Sequence, residues 1–145
     1  MSKLQDQVKE FMLAAGQECP VNPTGPSGNT RILRAKLILE EALEYCEAAG
    51  IDVFVNRSGE PANFCLSDLD FYDTGKCNID LVGVADAAAD LLIVVQGMAL
   101  SFGFDTDPIV DAVHENNITK FIDGYKAVDL KPIVKSQNPD KDYLL

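Results

Sequence analysis

The chain has 145 residues with 47% hydrophobic and 24% charged side chains, an ordinary balance for one folded domain with a sizeable core. Its 12 basic and 23 acidic side chains leave a net charge of −11, which excludes a broad nucleic-acid or anionic-membrane surface, because such binding needs clustered Lys and Arg. A small phosphate-bearing ligand stays open, since divalent cations reverse the local field.

The start, MSKLQDQVKEF, has no apolar core of signal-peptide length. The most apolar run, residues 91–95, is too short to cross a bilayer. Four cysteines (Cys19, Cys46, Cys65, Cys77) stand without a C-x-x-C pair and read as reduced thiols of a cytoplasmic protein. Those spacings and a single His argue against a zinc site.

Leu4, Val8, Phe11 and Met12 recur at helical spacing, so a first amphipathic helix is expected near residues 3–15, with Gly16 as its stop. Residues 17–29, with three prolines and two glycines, must be a loop. Asn29 or Thr30 is the expected cap of the next helix, residues 31–50, which Gly50 ends. That helix carries Glu40, Glu41, Glu44 and Glu47. At about 100° per residue, Glu40, Glu44 and Glu47 share a narrow stripe with Leu33 and Leu37, and Glu41 lies at its edge. Solvated acids normally stand opposite the leucines, so these are expected to face a partner helix or a cleft.

Residues 51–80 read as a long connection: DVFVN is strand-like, SGEP is a turn, and the rest has room for one short helix. Residues 81–102 form a helix apolar nearly all round, expected to be buried on most sides. Its only charges, Asp86 and Asp90, stand four apart on one face. Gly103 closes it, and Asp107 as cap with Pro108 at the first position opens a fourth helix. The tail after Gly124 is expected to be extended or a short hairpin. The architecture is therefore all-α, a bundle of four or five helices in one domain spanning residues 1–145.

Acids on a helix are ordinarily just solvated. Here Glu40, Glu41 and Glu44 on one helix and Asp86 and Asp90 on another each interrupt an apolar stripe. Buried unpaired carboxylates cost several kcal/mol, roughly, and few Lys or Arg are at hand to pair them. Hard oxygen ligands gathered in this way suit Mg²⁺, Mn²⁺ or Ca²⁺.

The residues also resemble a family. E-E-A-L-E preceded by R-x-x-x-x-x-L-I-x-E, then VADAAADLLIVVQGMALSFGFD, then VHENNITKF, are similar to the MazG-like all-α nucleoside triphosphate pyrophosphohydrolases. Their relatives include phosphoribosyl-ATP pyrophosphohydrolase and the dimeric dUTPases. The resemblance runs from Val8-x-x-Phe11 to the PIVKS tail. Glu40, Glu41 and Glu44 match the family's E-E-x-x-E, and Asp90 matches the last residue of its E-x-x-D. The second-helix Glu falls on Ala87, and Asp86 stands in for it, as in the D-x-x-x-D branch. The resemblance implies Mg²⁺ or Mn²⁺ as cofactor and hydrolysis of a (d)NTP to the monophosphate and pyrophosphate, with dGTP, GTP and dUTP the first substrates to test. It implies a homodimer or homotetramer in the cytoplasm, the host's if the chain is phage-encoded. Glu41 or Glu44 would take the proton of the attacking water. Asn117 and Lys120 match substrate contacts of the family. Lys36, Arg34 and Lys135 are further phosphate candidates, although exposure to solvent is the ordinary reading of each, and Gln17 is a candidate for touching the base. The alternatives are phosphoribosyl-ATP hydrolysis and a non-catalytic acidic module that binds a partner protein or Ca²⁺.

Overall fold

The computed structural model describes residues 1–59, 63–75 and 77–137. Among the described residues the fold has five helices and one two-stranded antiparallel sheet, so the all-α expectation holds. The chain divides into two compact units, Met1–Arg34 with Ile93–Leu145, and Ala35–Leu92.

In the first unit, α1 (Lys3–Ala14) starts where the Ser2 hydroxyl accepts the Gln5 N–H at 3.2 Å. Its inward line, Leu4, Val8 and Met12, packs with Leu100 and Cys19 into the hydrophobic core. The helix α2 (Gly28–Ala48) begins earlier than expected. Ser27, not Asn29 or Thr30, caps it, its hydroxyl accepting the Thr30 N–H at 3.2 Å while its carbonyl accepts the Arg31 N–H at 3.0 Å. The helix that closes the core, α3 (Leu81–Ser101), ends at Gly103, whose φ is +73°. A side chain on Gly103 would overlap the Asn22 carbonyl, and the Phe102 carbonyl accepts the Thr24 N–H at 2.9 Å beside it. Gly103→Ala is therefore expected to cost at least about 2 kcal/mol, lowering the melting temperature by roughly 5 °C.

The helix α4 (Asp107–Asp123) is shifted by one residue from expectation: Thr106 is the cap and Asp107 the first helical residue. The tail forms a helix, α5 (Lys131–Gln137), rather than an extended segment or hairpin. Asp129 Oδ1 accepts the Lys131 N–H, and Pro132 falls in the first turn, where its missing N–H costs nothing. Gln137 makes the segment worth ordering, since its side chain both donates to and accepts from the Asp105 backbone at 2.9 and 2.8 Å.

In the second unit the long connection is a hairpin. Strand β1 (Ile51–Val55) pairs antiparallel with β2 (Leu69–Asp73), Ile51 opposite Asp73 and Val55 opposite Leu69, and a 3₁₀ turn at Leu66–Asp68 leads into β2. Phe54 and Tyr72 meet edge to face at 5.8 Å. Backbone bonds from Thr74 N–H to the Gly50 carbonyl and from Asp80 N–H to the Ala48 carbonyl tie the hairpin's exit to the end of α2.

Within a single chain α3 is covered only in part. Only Ala87, Gly97 and Ala99–Ser101 are buried, while Leu81, Val82 and Leu92 are exposed. A helix apolar all round buries only those sides that its own chain covers. By length and composition it is also long enough to cross a bilayer, which the run 91–95 alone does not suggest. The helix of a soluble core passes the same test, and two aspartates at roughly 2.5–3.5 kcal/mol each in hydrocarbon weigh against a membrane span.

Candidate functional site

The five acids all lie in the second unit, on the last three turns of α2 and the first three of α3. The hydrogen bonds that start α3 position the second pair. Asp80 Oδ1 accepts the Gly83 N–H and the Asp80 carbonyl accepts the Val84 N–H, each at 2.9 Å. Asp86 follows one turn later and is exposed, whereas Asp90 is half-buried. Ala87 is 3% exposed, so the position where the family pattern has Glu is closed in this chain.

On α2 the inward residue differs from expectation. Glu40, Glu44 and Glu47 are exposed, and Glu41, placed by spacing at the edge of the stripe, is the acid that turns in. Its Oε2 is buried without a hydrogen-bond partner. Burial pushes its carboxyl above the ordinary glutamate value, and the charges of Glu44, Asp90, Glu40 and Asp86 push the same way. Glu41 thus feels the other four acids singled out from the sequence. None of the five makes an ion pair among the described residues.

Among the described residues, no three His, Cys, Asp or Glu side chains stand as a preformed metal-binding group. The donors nevertheless fit a hard divalent cation: all are carboxylate oxygens, and one, Glu41 Oε2, is a buried acceptor that nothing in the described chain satisfies.

Beside the acids a cavity of about 430 Å³ is lined by Glu44, Glu47, Asn78, Asp80, Asp86 and Ala87. Asn78 and Asp80 went unnoticed in the sequence. Asp80 stands immediately before the apolar helix, where an N-cap is expected, and that signal could have found it.

The remaining candidates fall elsewhere. Lys36 is exposed on the part of α2 that belongs to the second unit. Gln17, Asn117, Lys120 and Lys135 belong to the first unit. Lys120 Nζ donates to Asn117 Oδ1 at 2.7 Å and lies 4.8 Å from the centre of the Tyr125 ring, so those two candidates do come together. Lys135 is exposed on α5. Gln17 lines a cavity of about 440 Å³ with Arg34, which is buried rather than exposed as expected. His114 is on the surface, and the four cysteines are free thiols.

The family model described as phosphoribosyl-ATP pyrophosphohydrolase matches residues 6–117, most of the chain and all five acids. No curated protein matches the chain. The family match supports a nucleotide pyrophosphohydrolase type of activity, a hydrolysis of acid anhydrides.

Proposed function

The chain belongs to the phosphoribosyl-ATP pyrophosphohydrolase family, and from that premise we propose that it splits the bond between the α and β phosphates of a nucleoside triphosphate, releasing the monophosphate and pyrophosphate. The observation that carries this reading is the Glu41 carboxyl, raised by burial and by four further acids from two helices. A triphosphate cannot approach five uncompensated carboxylates, so the same cluster that repels the substrate requires a cation to accept it.

Glu40, Glu41, Glu44, Asp86 and Asp90 would hold Mg²⁺ or Mn²⁺. Such ions, when bound, lower the pKa of a water and stabilise charge on the leaving pyrophosphate. The chain's own part is the rest. Glu41 or Glu44 takes the proton of the attacking water, and Ala87 closes the position beside Asp86. Two copies of the chain, or two pairs, complete the molecule. Support comes from Leu39, Leu43, Leu81, Val82 and Leu92, which one copy leaves in water.

A panel of nucleotides incubated with Mn²⁺ and resolved by chromatography tests the reaction. The expected products are the monophosphate and pyrophosphate, with dGTP, GTP and dUTP as the first arms and phosphoribosyl-ATP beside them. Release of orthophosphate, or no turnover in any arm, would sink the reading.

A further inference from the structure

The two acid-bearing helices meet at one end through a glycine and an alanine. Gly83 lies in the first turn of α3, where helix propensity favours alanine. Its φ is not positive, so the backbone does not call for glycine either. Lack of room accounts for it. A Cβ on Gly83 would stand 3.1 Å from the Ala48 Cβ and 2.7 Å from Asp80 Oδ2. Carbon atoms in ordinary contact are about 3.5–4.0 Å apart. The Asp80 carboxylate could swing aside, at the loss of the hydrogen bond it accepts from the Gly83 N–H. The Ala48 Cβ has no such freedom, because it is fixed to the α2 backbone.

The same end is pinned through the main chain. The Asp80 N–H donates to the Ala48 carbonyl at 3.2 Å, and the Asp80 carbonyl accepts the Val84 N–H at 2.9 Å. Asp80 thus joins the end of α2 to the start of α3. The contact lies about one turn from the acids on each helix, with Glu44 before Ala48 and Asp86 after Gly83. Ala48, Gly83, Glu44 and Asp86 line one cavity, and all four belong to the second unit. A helix is stiff over a single turn, so the backbone separation at Ala48 and Gly83 sets the separation at Glu44 and Asp86.

We propose that the Gly83–Ala48 contact holds the two helices at a spacing that tilts the acidic site toward Mg²⁺ and away from Ca²⁺. Mg²⁺ takes oxygens at about 2.0–2.1 Å in near-ideal octahedral geometry, whereas Ca²⁺ takes them at about 2.3–2.6 Å with little angular demand. Side chains can swing onto an ion, but the backbones that carry them fix how closely carboxylates from opposite helices converge. A wedge of a few tenths of an ångström, roughly, matches the difference between the two ions. Gly83 and Ala48 are positioning residues, acting through Glu44 and Asp86. The inference rests on the reading of the five acids as a cation site and on no particular substrate.

The test reads binding, not turnover. The full chain, stripped with EDTA and dialysed, is titrated by calorimetry with MgCl₂ and separately with CaCl₂, and the ratio of the two dissociation constants is taken. Gly83→Ala is expected to weaken Mg²⁺ about tenfold and Ca²⁺ by less than about threefold. The double variant Ala48→Gly with Gly83→Ala reopens the gap and should recover the wild-type ratio. Both variants displace the Asp80 carboxylate and should melt below the wild type, so recovery of the ratio separates spacing from stability. Ala48→Val wedges the same gap from α2 and decides the matter if Gly83→Ala does not fold. Equal weakening of both ions, an unchanged ratio in the folded wedge variants, or a double variant that keeps the altered ratio would each overturn the proposal. A wild-type chain that binds neither ion overturns it together with the cation site, whereas a chain that binds both ions and hydrolyses no nucleotide fails the hydrolase reading alone.

Discussion

Glu44→Gln is expected to lower pyrophosphate release by about 10²–10⁴-fold while leaving the fold intact. Glu44 is exposed, makes no ion pair among the described residues, and lines the cavity beside the acids. Replacing an exposed carboxylate by its isosteric amide changes stability by no more than about 0.5 kcal/mol, so circular dichroism and the melting temperature should match the wild type. The substitution removes one of the two candidate proton acceptors and one of five oxygen donors. A non-catalytic acidic module predicts the opposite pattern, with no turnover in the wild type for the variant to lose. Full activity in Glu44→Gln would remove that residue from the site.

Glu41→Gln separates stability from activity more sharply. In the metal-free chain the Glu41 carboxyl is raised first by burial and then by Glu44, Asp90, Glu40 and Asp86, so the folded chain holds that proton more tightly than the unfolded chain. The stabilisation that follows is fully present below the ordinary glutamate value and is lost as pH rises through the raised folded value. Above the raised value the ionised Glu41 therefore opposes folding, and there its neutral isostere should melt at a higher temperature than the wild type in EDTA. Toward mildly acid pH the two melting curves should converge as Glu41 takes up its proton. Relief of the net charge of −11 on acidification acts on both chains alike, so the difference between them isolates Glu41. Adding Mn²⁺ at a hundred times its dissociation constant is expected to stabilise the wild type by about 2.7 kcal/mol, a rise of roughly 5–10 °C, and to do far less for Glu41→Gln. Scanning calorimetry at neutral and mildly acid pH, with and without Mn²⁺, checks all three results. A Glu41→Gln chain less stable than the wild type in EDTA would show that the carboxylate is satisfied after all.

Local periodicity made much of this protein legible in advance. The spacing of Leu4, Val8 and Met12 located the first helix and its inward line, and Gly16, Gly50 and Gly103 marked helix ends that do take positive φ. The acid pattern placed the candidate site on two helices, because a helix fixes which residues share a face within a few turns. The hairpin was half legible. DVFVN reads as a strand, but LDFYD carries two aspartates, which strands disfavour, and its pairing is decided by residues about twenty positions away.

What the sequence alone determined is which side chains lie on each helix and in what order along it. Only the tertiary structure decided which of them turn inward. It chose Glu41 over Glu44 for the half-buried place, and it buried Arg34, on a helix where a lone arginine reads as solvated. Periodicity divides a helix into faces, but the elements that pack against those faces determine which charges lose their water, and those elements come from distant parts of the chain.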